Sequence, residues 1–438
     1  MRKKYIVCLL AAALLLSGCS MQKVNQMYQL PKRSEDYSNL HSVINTAMTG
    51  LEFCAPLSGE NQQTVQMADL NGDGEQEYLV FTKGNSEQPL RILIFSRSGD
   101  GFVHTDTIDS SGAAFDQVEY VQMDEKPGVE VVVGRQISDQ LIRSVSVYTF
   151  ADGKAQKLIS VNYKKFIVAD FNNDLLGEVF VLRPNIGETG NGVAEFYSLN
   201  SGIMERSNEA SMSATVDKLK RVIVGKLQDG KTALYVASTV GDSSLITDIY
   251  TVKDDTLINL SYAEGSDGGI QTLRNYFIYA DDIDKDGVLE LPKLLPMEPL
   301  ENTTSTEEND MICWYAMQSD GTTVEKLYTY YVSAAGWYLQ FNEALAQRVT
   351  ARNYGNTHEF YLWNEEYTEA TKLFTVCALN GQDREEQSVL NGRFVLEKTN
   401  TVTYVANLET AASEYFITQQ SLIHNFNLIH RDWNTGET

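Results

Sequence analysis

Three segments of this 438-residue chain repeat one pattern of oxygen-bearing side chains, D-x-[ND]-x-D-x-x-x-E. They lie at residues 69–77, 170–178 and 282–290. Oxygens at alternate positions, followed by a carboxylate four residues after the third, are the ligands with which a hard cation such as calcium fills its coordination shell. Because the pattern recurs between similar runs of β-forming residues, it marks the repeating unit of an architecture.

The repeated segment lies inside a larger unit of four predicted strands. In the first unit, apolar and β-branched runs occupy residues 65–68, 78–82, 90–95 and 102–105. Aligned on the acidic segment, the units begin at residues 69, 122, 170, 226 and 282, at intervals of 48 to 56 residues. Four strands repeated at about fifty residues are typical of β-propeller blades. We number the loops by their units, so the three acidic segments are loops 1, 3 and 5.

A structural calcium ion is the cofactor that these loops predict. The candidate ligands are Asp69, Asn71, Asp73 and Glu77 in loop 1, Asp170, Asn172, Asp174 and Glu178 in loop 3, and Asp282, Asp284, Asp286 and Glu290 in loop 5. Loops 2 and 4 keep the strands and lose most of these side chains, which indicates that the repeat is structural first. The alternative is a set of metal-free turns, because Asp and Asn also cap turns by themselves. Leu175 replaces the glycine found at residues 74 and 287, which predicts a strained or differently shaped turn in loop 3.

These loops and strands resemble the FG-GAP/VCBS-type repeat proteins, whose propeller blades carry D-x-[DN]-x-D-G-x-x-[DE] calcium loops. More closely, the chain resembles a group of bacterial lipoproteins of unassigned function with such repeats. The segment from Leu30 to Asn61, which leads into loop 1, adds to this resemblance. It covers roughly residues 30–335. The resemblance implies a calcium-binding propeller and leaves the biological role open.

The pattern predicts a mainly β chain with a helix at each end. We expect an N-terminal helix over residues 34–50, a propeller of about five four-stranded repeats over 51–335, and a small C-terminal α+β domain over 336–438. The C-terminal domain would end in an amphipathic helix from Thr410 to Ile429. The alternative assigns the strands after residue 336 to divergent blades, which would bring the propeller to as many as seven.

The first twenty residues predict export and membrane attachment. A basic start, Met1 to Lys4, precedes a short apolar run over residues 5–16. This is typical of a secretory signal and too short for a spanning helix. The ending Leu-Ser-Gly-Cys resembles the bacterial lipoprotein signal, which implies that residues 1–18 are removed and that Cys19 is lipidated. Residues 19–33 would then be a tether on the extracytoplasmic face of the cell membrane. An ordinary cleaved signal with a chance cysteine is the alternative.

Charge and cysteine content limit the partners and the covalent structure. A formal net charge of −24 argues against nucleic acid as a partner. Cys54, Cys313 and Cys377 follow the signal region, and three cysteines allow at most one disulfide. Free thiols are the favoured interpretation, because Cys313 and Cys377 lie in apolar runs.

The sequence contains no recognisable set of catalytic residues. The five histidines form no zinc-ligand motif, and no nucleophile elbow, phosphate loop or dinucleotide fingerprint is present. The favoured hypothesis is therefore a non-enzymatic binding or scaffolding lipoprotein, attached to the membrane by its lipid and recognising a cell-surface protein or glycan. The alternative is a hydrolase of cell-wall or extracellular polysaccharide that uses a carboxylate pair.

Overall fold

A computed structural model describes residues 35–137, 142–185, 190–261, 272–300 and 310–429. The predicted signal peptide, the predicted lipidation site Cys19 and the predicted tether lie outside these residues. Within them, no helix has both the length and the apolar character that crossing a membrane requires. The described part of the chain is mainly β-strand, as the sequence predicts.

The predicted N-terminal helix is confirmed as α1 (Glu35–Ala47). Leu40 and Ile44, one turn apart, are buried in a cluster with Val80 and Phe95 of the first sheet. The side chain of Asn39 accepts a hydrogen bond of 2.7 Å from the backbone N–H of Phe102. The helix is thus held by an apolar stripe and one polar contact against a sheet face.

Four antiparallel sheets follow, with their strands hydrogen-bonded in chain order. Sheet 1 contains β1 (Glu52–Phe53), β2 (Val65–Ala68), β3 (Glu77–Lys83), β4 (Leu90–Ser98) and β5 (Gly101–Ser110), with β1 and β2 both pairing with β3. Sheet 2 contains β6 (Ala114–Val121), β7 (Glu130–Gln136), β8 (Arg143–Ala151) and β9 (Lys154–Tyr163). Sheet 3 contains β10 (Lys165–Ala169), β11 (Glu178–Pro184), β12 (Gly192–Asn200) and β13 (Ile203–Ser211). Sheet 4 contains β14 (Leu219–Lys226), β15 (Thr232–Val240), β16 (Ser244–Lys253) and β17 (Thr256–Asn259).

Two five-stranded sheets complete the molecule. Sheet 5 begins with β18 (Glu290–Leu295), β19 (Asp310–Met317), β20 (Thr323–Val332) and β21 (Trp337–Phe341). Sheet 6 has the order β22 (Val349–Tyr354), β23 (Thr357–Trp363), β24 (Ala370–Asn380), β26 (Val402–Leu408) and β25 (Phe394–Lys398). The last strand, β27 (Phe426–Leu428), returns to pair with β21 of sheet 5. The remaining helices are α2 (Glu343–Ala346), α3 (Arg384–Gln387) and α4 (Gln419–Asn425), and the 3-10 turns are Val216–Lys218, Ser333–Ala335, Leu390–Gly392 and Thr410–Tyr415.

The single helix predicted from Thr410 to Ile429 is wrong. Phe416 has a left-handed backbone (φ 57°) that ends the 3-10 turn, and Thr418 caps a new helix through a reciprocal pair of bonds with Ser421. Phe426 then leaves the helix for the strand edge, where its ring stacks on that of Trp337 at 5.4 Å. Of the apolar side chains on the predicted helix face, Leu422 and Phe426 are buried and Tyr415 and Ile429 are half-buried. Three short elements carry them, because the edge of β21 supplies backbone partners that a helix would not use.

Each sheet packs face to face on the next one along the chain. Every junction has its own cluster of buried apolar side chains drawn from both sheets. Representative contacts are those of Phe81 with Phe115 between sheets 1 and 2, Phe180 with Tyr250 between sheets 3 and 4, and Tyr330 with Phe360 between sheets 5 and 6. The middle sheets are covered on both faces, which explains their nearly continuous apolar runs.

The two ends of this row are finished differently. Helix α1 covers the outer face of sheet 1, while the outer face of sheet 6 carries polar pairs such as Lys372 with Glu359 at 2.7 Å. No sheet is closed on itself. Among the described residues, no apolar cluster combines side chains of sheets 1 and 6. The structure therefore shows consecutive antiparallel sheets of four or five strands without showing a closed ring.

The three cysteines beyond the signal region are free thiols, as predicted. Cys313 is buried, and Cys54 and Cys377 are half-buried. Burial raises the pKa of the Cys313 thiol to about 11, so this side chain stays protonated and unreactive at neutral pH.

Candidate metal centres

Loops 1 to 5 lie in one row along an edge of the stacked sheets. Loop 1 joins β2 to β3, loop 3 joins β10 to β11, and loop 5 leads into β18. Backbone N–H groups at the end of one loop donate to carbonyls at the start of the loop before it. These bonds run from Val129 to Asp69 (3.1 Å), from Gly177 to Gln122 (2.8 Å) and from Leu289 to Lys226 (3.1 Å). The loops thus connect neighbouring sheets as well as neighbouring strands.

A buried glutamate closes four of the five loops in the same way. One carboxylate oxygen accepts a hydrogen bond from the backbone N–H seven residues earlier. The pairs are Glu77 with Leu70 (2.9 Å), Glu130 with Met123 (3.0 Å), Glu178 with Phe171 (2.8 Å) and Glu290 with Ile283 (3.1 Å). Each residue that donates this bond also buries its side chain in the core. Because ligand-poor loop 2 has the same bond, the glutamate closes the turn whether or not a metal binds.

The first aspartate of each acidic loop holds the turn together. Asp69 accepts backbone bonds from Gly72 (2.7 Å) and Gly74 (3.0 Å). In loop 3, Leu175 occupies the place of Gly74 and donates to Asp170 at 3.0 Å. Its φ of 71° is left-handed and close to the 87° of Gly74, so the turn keeps its shape and carries the predicted strain. That conformation costs a non-glycine residue about 1 kcal/mol.

Carboxylates converge in loops 3 and 5. There are two groups of three acidic residues in which one carboxylate oxygen from each residue lies within 4.8 Å of the other two. The groups are Asp170, Asp174 and Glu178, and Asp282, Asp284 and Glu290. Burial, reinforced by neighbouring aspartates, raises the pKa of Glu178 to about 7 and that of Glu290 to about 8. A divalent cation would offset both the cost of burying these negative charges and the repulsion between them.

Loop 5 contains two oxygens that would suit a bound cation. Asp282 Oδ1 and Glu290 Oε1 are buried and have no hydrogen-bond partner among the described residues. Buried polar atoms are nearly always paired, and an unpaired carboxylate oxygen is especially costly. Because every candidate donor in the loop is a carboxylate oxygen, the set suits a hard cation such as calcium and not a soft transition metal.

A lysine from another strand also enters loop 5. Lys326 Nζ, from β20, lies 2.5 Å from Asp286 Oδ2 and 3.8 Å from Asp284 Oδ2. Its hydrogen bond lowers the pKa of Asp286 and raises that of Lys326. Sequence reasoning missed this residue, because it follows the loop by 36 positions and belongs to no motif.

Loop 1 differs from the other two acidic loops. Its acidic side chains do not form a converging group of the kind that the described residues of loops 3 and 5 form. Asn71 instead donates its amide N–H to Glu77 Oε1 at 3.2 Å, which pairs the oxygen that stays unpaired in Glu290. The structure thus supports two of the three predicted sites as possible metal centres, and calcium itself remains a prediction.

Loops 2 and 4 fill the corresponding positions with lysine. Lys126 pairs with Asp124 at 3.3 Å in loop 2. In loop 4, Lys226 Nζ donates to Thr232 Oγ1 at 2.7 Å and to Asn173 Oδ1 of loop 3 at 3.3 Å. Where the set of candidate ligands is incomplete, a lysine ammonium group contacts the polar side chains instead. This agrees with a turn whose main role is structural.

Comparison with known proteins adds limited information. No protein-family model matches the chain, and no curated sequence is significantly similar to it. The solved structures that match the chain include a rhamnogalacturonan lyase from Bacillus licheniformis, which is 12% identical over 71% of this chain and 71% of its own, with a TM-score of 0.27. A protein from Lactobacillus plantarum is 11% identical over 72% of this chain and 85% of its own, with a TM-score of 0.28. TolB from Acinetobacter baumannii is 12% identical over 77% and 69%, with a TM-score of 0.23. Scores this low do not carry an activity over to this chain.

Proposed function

We propose that this protein is a lipid-anchored, extracytoplasmic binding or scaffolding protein whose repeated sheets are propeller-type blades stabilised by calcium. The observation that carries the calcium assignment is the pair of unpartnered buried oxygens of Asp282 and Glu290. The FG-GAP/VCBS-type resemblance of the loops supports the same assignment. Calcium would bind loops 3 and 5, where carboxylates converge.

The loop geometry favours a structural role for the ion over a catalytic one. The candidate ligands already bond to the backbone of their own loop, as Asp170 does to Leu175 and Asp282 to Gly287, each at 3.0 Å. These loops also carry the backbone bonds between neighbouring sheets. An ion held there would clamp the turns and strengthen the contact from one sheet to the next.

The calcium assignment is tested by thermal unfolding with and without the ion. Chelation leaves clustered carboxylates facing one another, so the melting temperature should fall, and added calcium should restore it by mass action. Dissociation constants on the order of 10⁻⁴ to 10⁻³ M are expected, as in extracellular modules. A melting temperature that ignores calcium would show that the loops are simple acidic turns.

Two matched variants connect that stabilisation to the loops. Asp284→Asn in loop 5 keeps the oxygen that accepts from the backbone N–H of Asp286 and removes one ligand charge. Asp124→Asn makes the same change in loop 2, where Asp124 accepts from Lys126 N. The first variant should lose part of the calcium-dependent rise in melting temperature, and the second should keep it. Equal behaviour of the two variants would contradict the assignment.

The binding role is tested by assaying the purified protein against cell-wall and glycan substrates. The binding hypothesis predicts association with a cell-surface protein or glycan and no turnover. Robust release of product would replace the binding hypothesis with the hydrolase alternative. If no product is released, a pull-down from intact cells would identify the binding partner.

A further inference from the structure

A cleft of about 620 Å³ lies between sheet 5 and the segment that follows β17 of sheet 4. The segment after β17 contributes Arg274 and Tyr276, and sheet 5 contributes Lys293, Tyr315 and Glu325. The segment is fixed in place by two backbone bonds between Arg274 and Leu245 of β16, at 2.7 and 2.9 Å. A cleft of this volume suits a small organic ligand.

Arg274 places a buried positive charge on the wall of this cleft. This residue is 7% exposed, and its hydrogen-bond acceptors among the described residues are all neutral. Its guanidinium donates to the carbonyls of Ile278 (2.9 Å) and Thr272 (2.9 Å) and to Thr247 Oγ1 (3.1 Å). A guanidinium has five N–H groups, so two remain for a ligand. No ion pair among the described residues includes Arg274.

A buried arginine without a carboxylate partner is unusual, because a buried charge is costly unless it is paired. The cleft between sheets 2 and 3 shows the usual solution. There Arg183 lies 2.7 Å from Glu195 and 3.2 Å from Glu209, so the protein supplies the counter-charge. Burial lowers the pKa of Arg274 to about 10, which leaves the guanidinium charged at neutral pH. The missing negative charge would therefore come from a ligand.

The other walls of the cleft indicate what else the ligand would carry. Exposed Lys293 supplies a second cation, although the whole chain has a net charge of −24. Half-buried Tyr276 offers aromatic surface, and Thr322 and Thr323 offer hydroxyl groups. Tyr315 also lines the cleft, but only 8% of this residue is exposed. Aromatic surface with neutral hydrogen-bonding groups suits a sugar ring, and an arginine suits a carboxylate.

We propose that this cleft binds a carboxylate-bearing sugar, such as a hexuronic acid unit of an acidic glycan. The sugar carboxylate would pair with Arg274 and Lys293, and the sugar ring would lie against Tyr276. Glu325 is the carboxylate among the lining residues, and it accepts a 2.7 Å bond from Tyr328 Oη. Its charge would oppose the ligand's. This inference rests on the proposed binding function and names the ligand class.

Calorimetric titration with glucuronic acid and its oligomers tests the proposal, with glucose oligomers as the neutral match. Glucuronate should bind and glucose should not bind measurably. Lys293→Met should weaken binding about two- to fivefold, the range of a solvent-exposed ion pair. Glu325→Gln keeps an acceptor for Tyr328 and should strengthen binding by a similar factor. Lys157→Met, an exposed change on β9 of sheet 2, should bind as wild type does.

Arg274→Met should reduce binding at least about tenfold, because it removes a charged hydrogen-bonding partner. Because this variant can also unfold the cleft, the opposite effects of the Lys293 and Glu325 variants carry the decision. Equal binding of glucuronate and glucose, or equal behaviour of Lys293→Met and Lys157→Met, would overturn the proposal. Equal affinity for acetate and glucuronate would also overturn it, because it shows an anion site that does not recognise a sugar. Absence of glucuronate binding while calcium still stabilises the fold would refute this ligand and leave the calcium assignment standing.

Discussion

At the scale of single residues, a lysine side chain from β20 lies among the carboxylates of loop 5. The Lys326 ammonium, 2.5 Å from Asp286, takes up part of the negative charge that a metal would use. In loop 3 the Lys226 ammonium donates to Asn173 Oδ1, and no ion pair among the described residues joins a lysine to the converging carboxylates of this loop. Two loops with the same pattern therefore present different electrostatic conditions to calcium.

Lys326→Met should raise the calcium affinity of loop 5 by about two- to tenfold, because a bound divalent ion would no longer displace an ammonium group. Calorimetric titration of the variant would measure the change. Lys154→Met is the control, since Lys154 pairs with Asp106 at 3.2 Å in an ion pair away from the loops. Unchanged affinity in both variants would show that Lys326 does not compete with the ion.

At the scale of elements, the loops determine how closely neighbouring sheets approach. A Cβ atom on Gly72 would lie 2.2 Å from Pro127 Cβ and 2.3 Å from the Pro127 carbonyl carbon of loop 2. A Cβ atom on Gly74 would meet nothing within 4 Å. Both glycines have left-handed backbones, with φ of 74° and 87°. Backbone strain is therefore comparable at the two positions, and the contact between loops is not.

Gly72→Ala should lower the free energy of unfolding by about 1–3 kcal/mol more than Gly74→Ala does, because only the first substitution forces loops 1 and 2 apart. Urea unfolding of the two variants at saturating calcium would measure the difference. Equal destabilisation would show that loop 1 can move away from loop 2 without cost.

Strand β23 carries a buried histidine at the junction of sheets 5 and 6. His358 is 3% exposed, its Nδ1 lies 3.0 Å from Tyr330 Oη, and its ring contacts that of Trp337 at 5.0 Å. Burial lowers its pKa to about 4. The folded protein thus holds a neutral imidazole that the unfolded chain would protonate below its ordinary pKa of about 6.5.

Between pH 6.5 and pH 4 the unfolded state binds a proton that the folded state does not, so stability falls as the pH falls through this window. His358→Gln removes the titrating group and keeps a polar partner for Tyr330. From pH 7 to pH 5, wild type should lose about 2 kcal/mol of unfolding free energy more than the variant loses. Urea unfolding at the two pH values measures this difference, in which the carboxylates shared by both proteins cancel. Equal losses of unfolding free energy in wild type and variant would contradict the assignment of a neutral, buried His358.

At the scale of the whole molecule, an anchored protein would present its row of sheets outside the membrane. Helix α1 begins at Glu35, so a lipid on Cys19 would be separated from the first sheet by a short tether and this helix. The acidic loops and the cleft beside Arg274 belong to the sheets and not to the tether. Attachment and ligand binding would therefore use separate parts of the chain.

Cys19→Ala should abolish incorporation of labelled fatty acid, because the thiol is the predicted site of acylation. Metabolic labelling followed by immunoprecipitation measures this directly. Cys54→Ala is the control, since Cys54 is a half-buried free thiol among the described residues, and this variant should label normally. Equal labelling of the Cys19 variant and wild type would refute lipidation at this residue.

Much of the architecture could be predicted from sequence, because strand and loop signals are local. The fifty-residue spacing, the four strands of the first unit and helix α1 follow from side-chain period and turn residues, and the repeated acidic pattern includes the carboxylates that converge in loops 3 and 5. The prediction of a helix from Thr410 to Ile429 is wrong because the structure of this segment depends on a distant part of the chain. The edge of β21 competes for its backbone, and that edge lies some ninety residues earlier in the chain.

The sequence by itself determined a mainly β repeat protein with regularly spaced acidic loops, since those features depend on neighbours within a few residues. Only the tertiary structure decided which carboxylates converge, because Asp282, Asp284 and Glu290 meet through the shape of a turn. It also decided that Lys326 enters loop 5 and that Arg274 is buried beside neutral oxygens. Charge compensation depends on which distant strands pack together, and no local pattern records that choice.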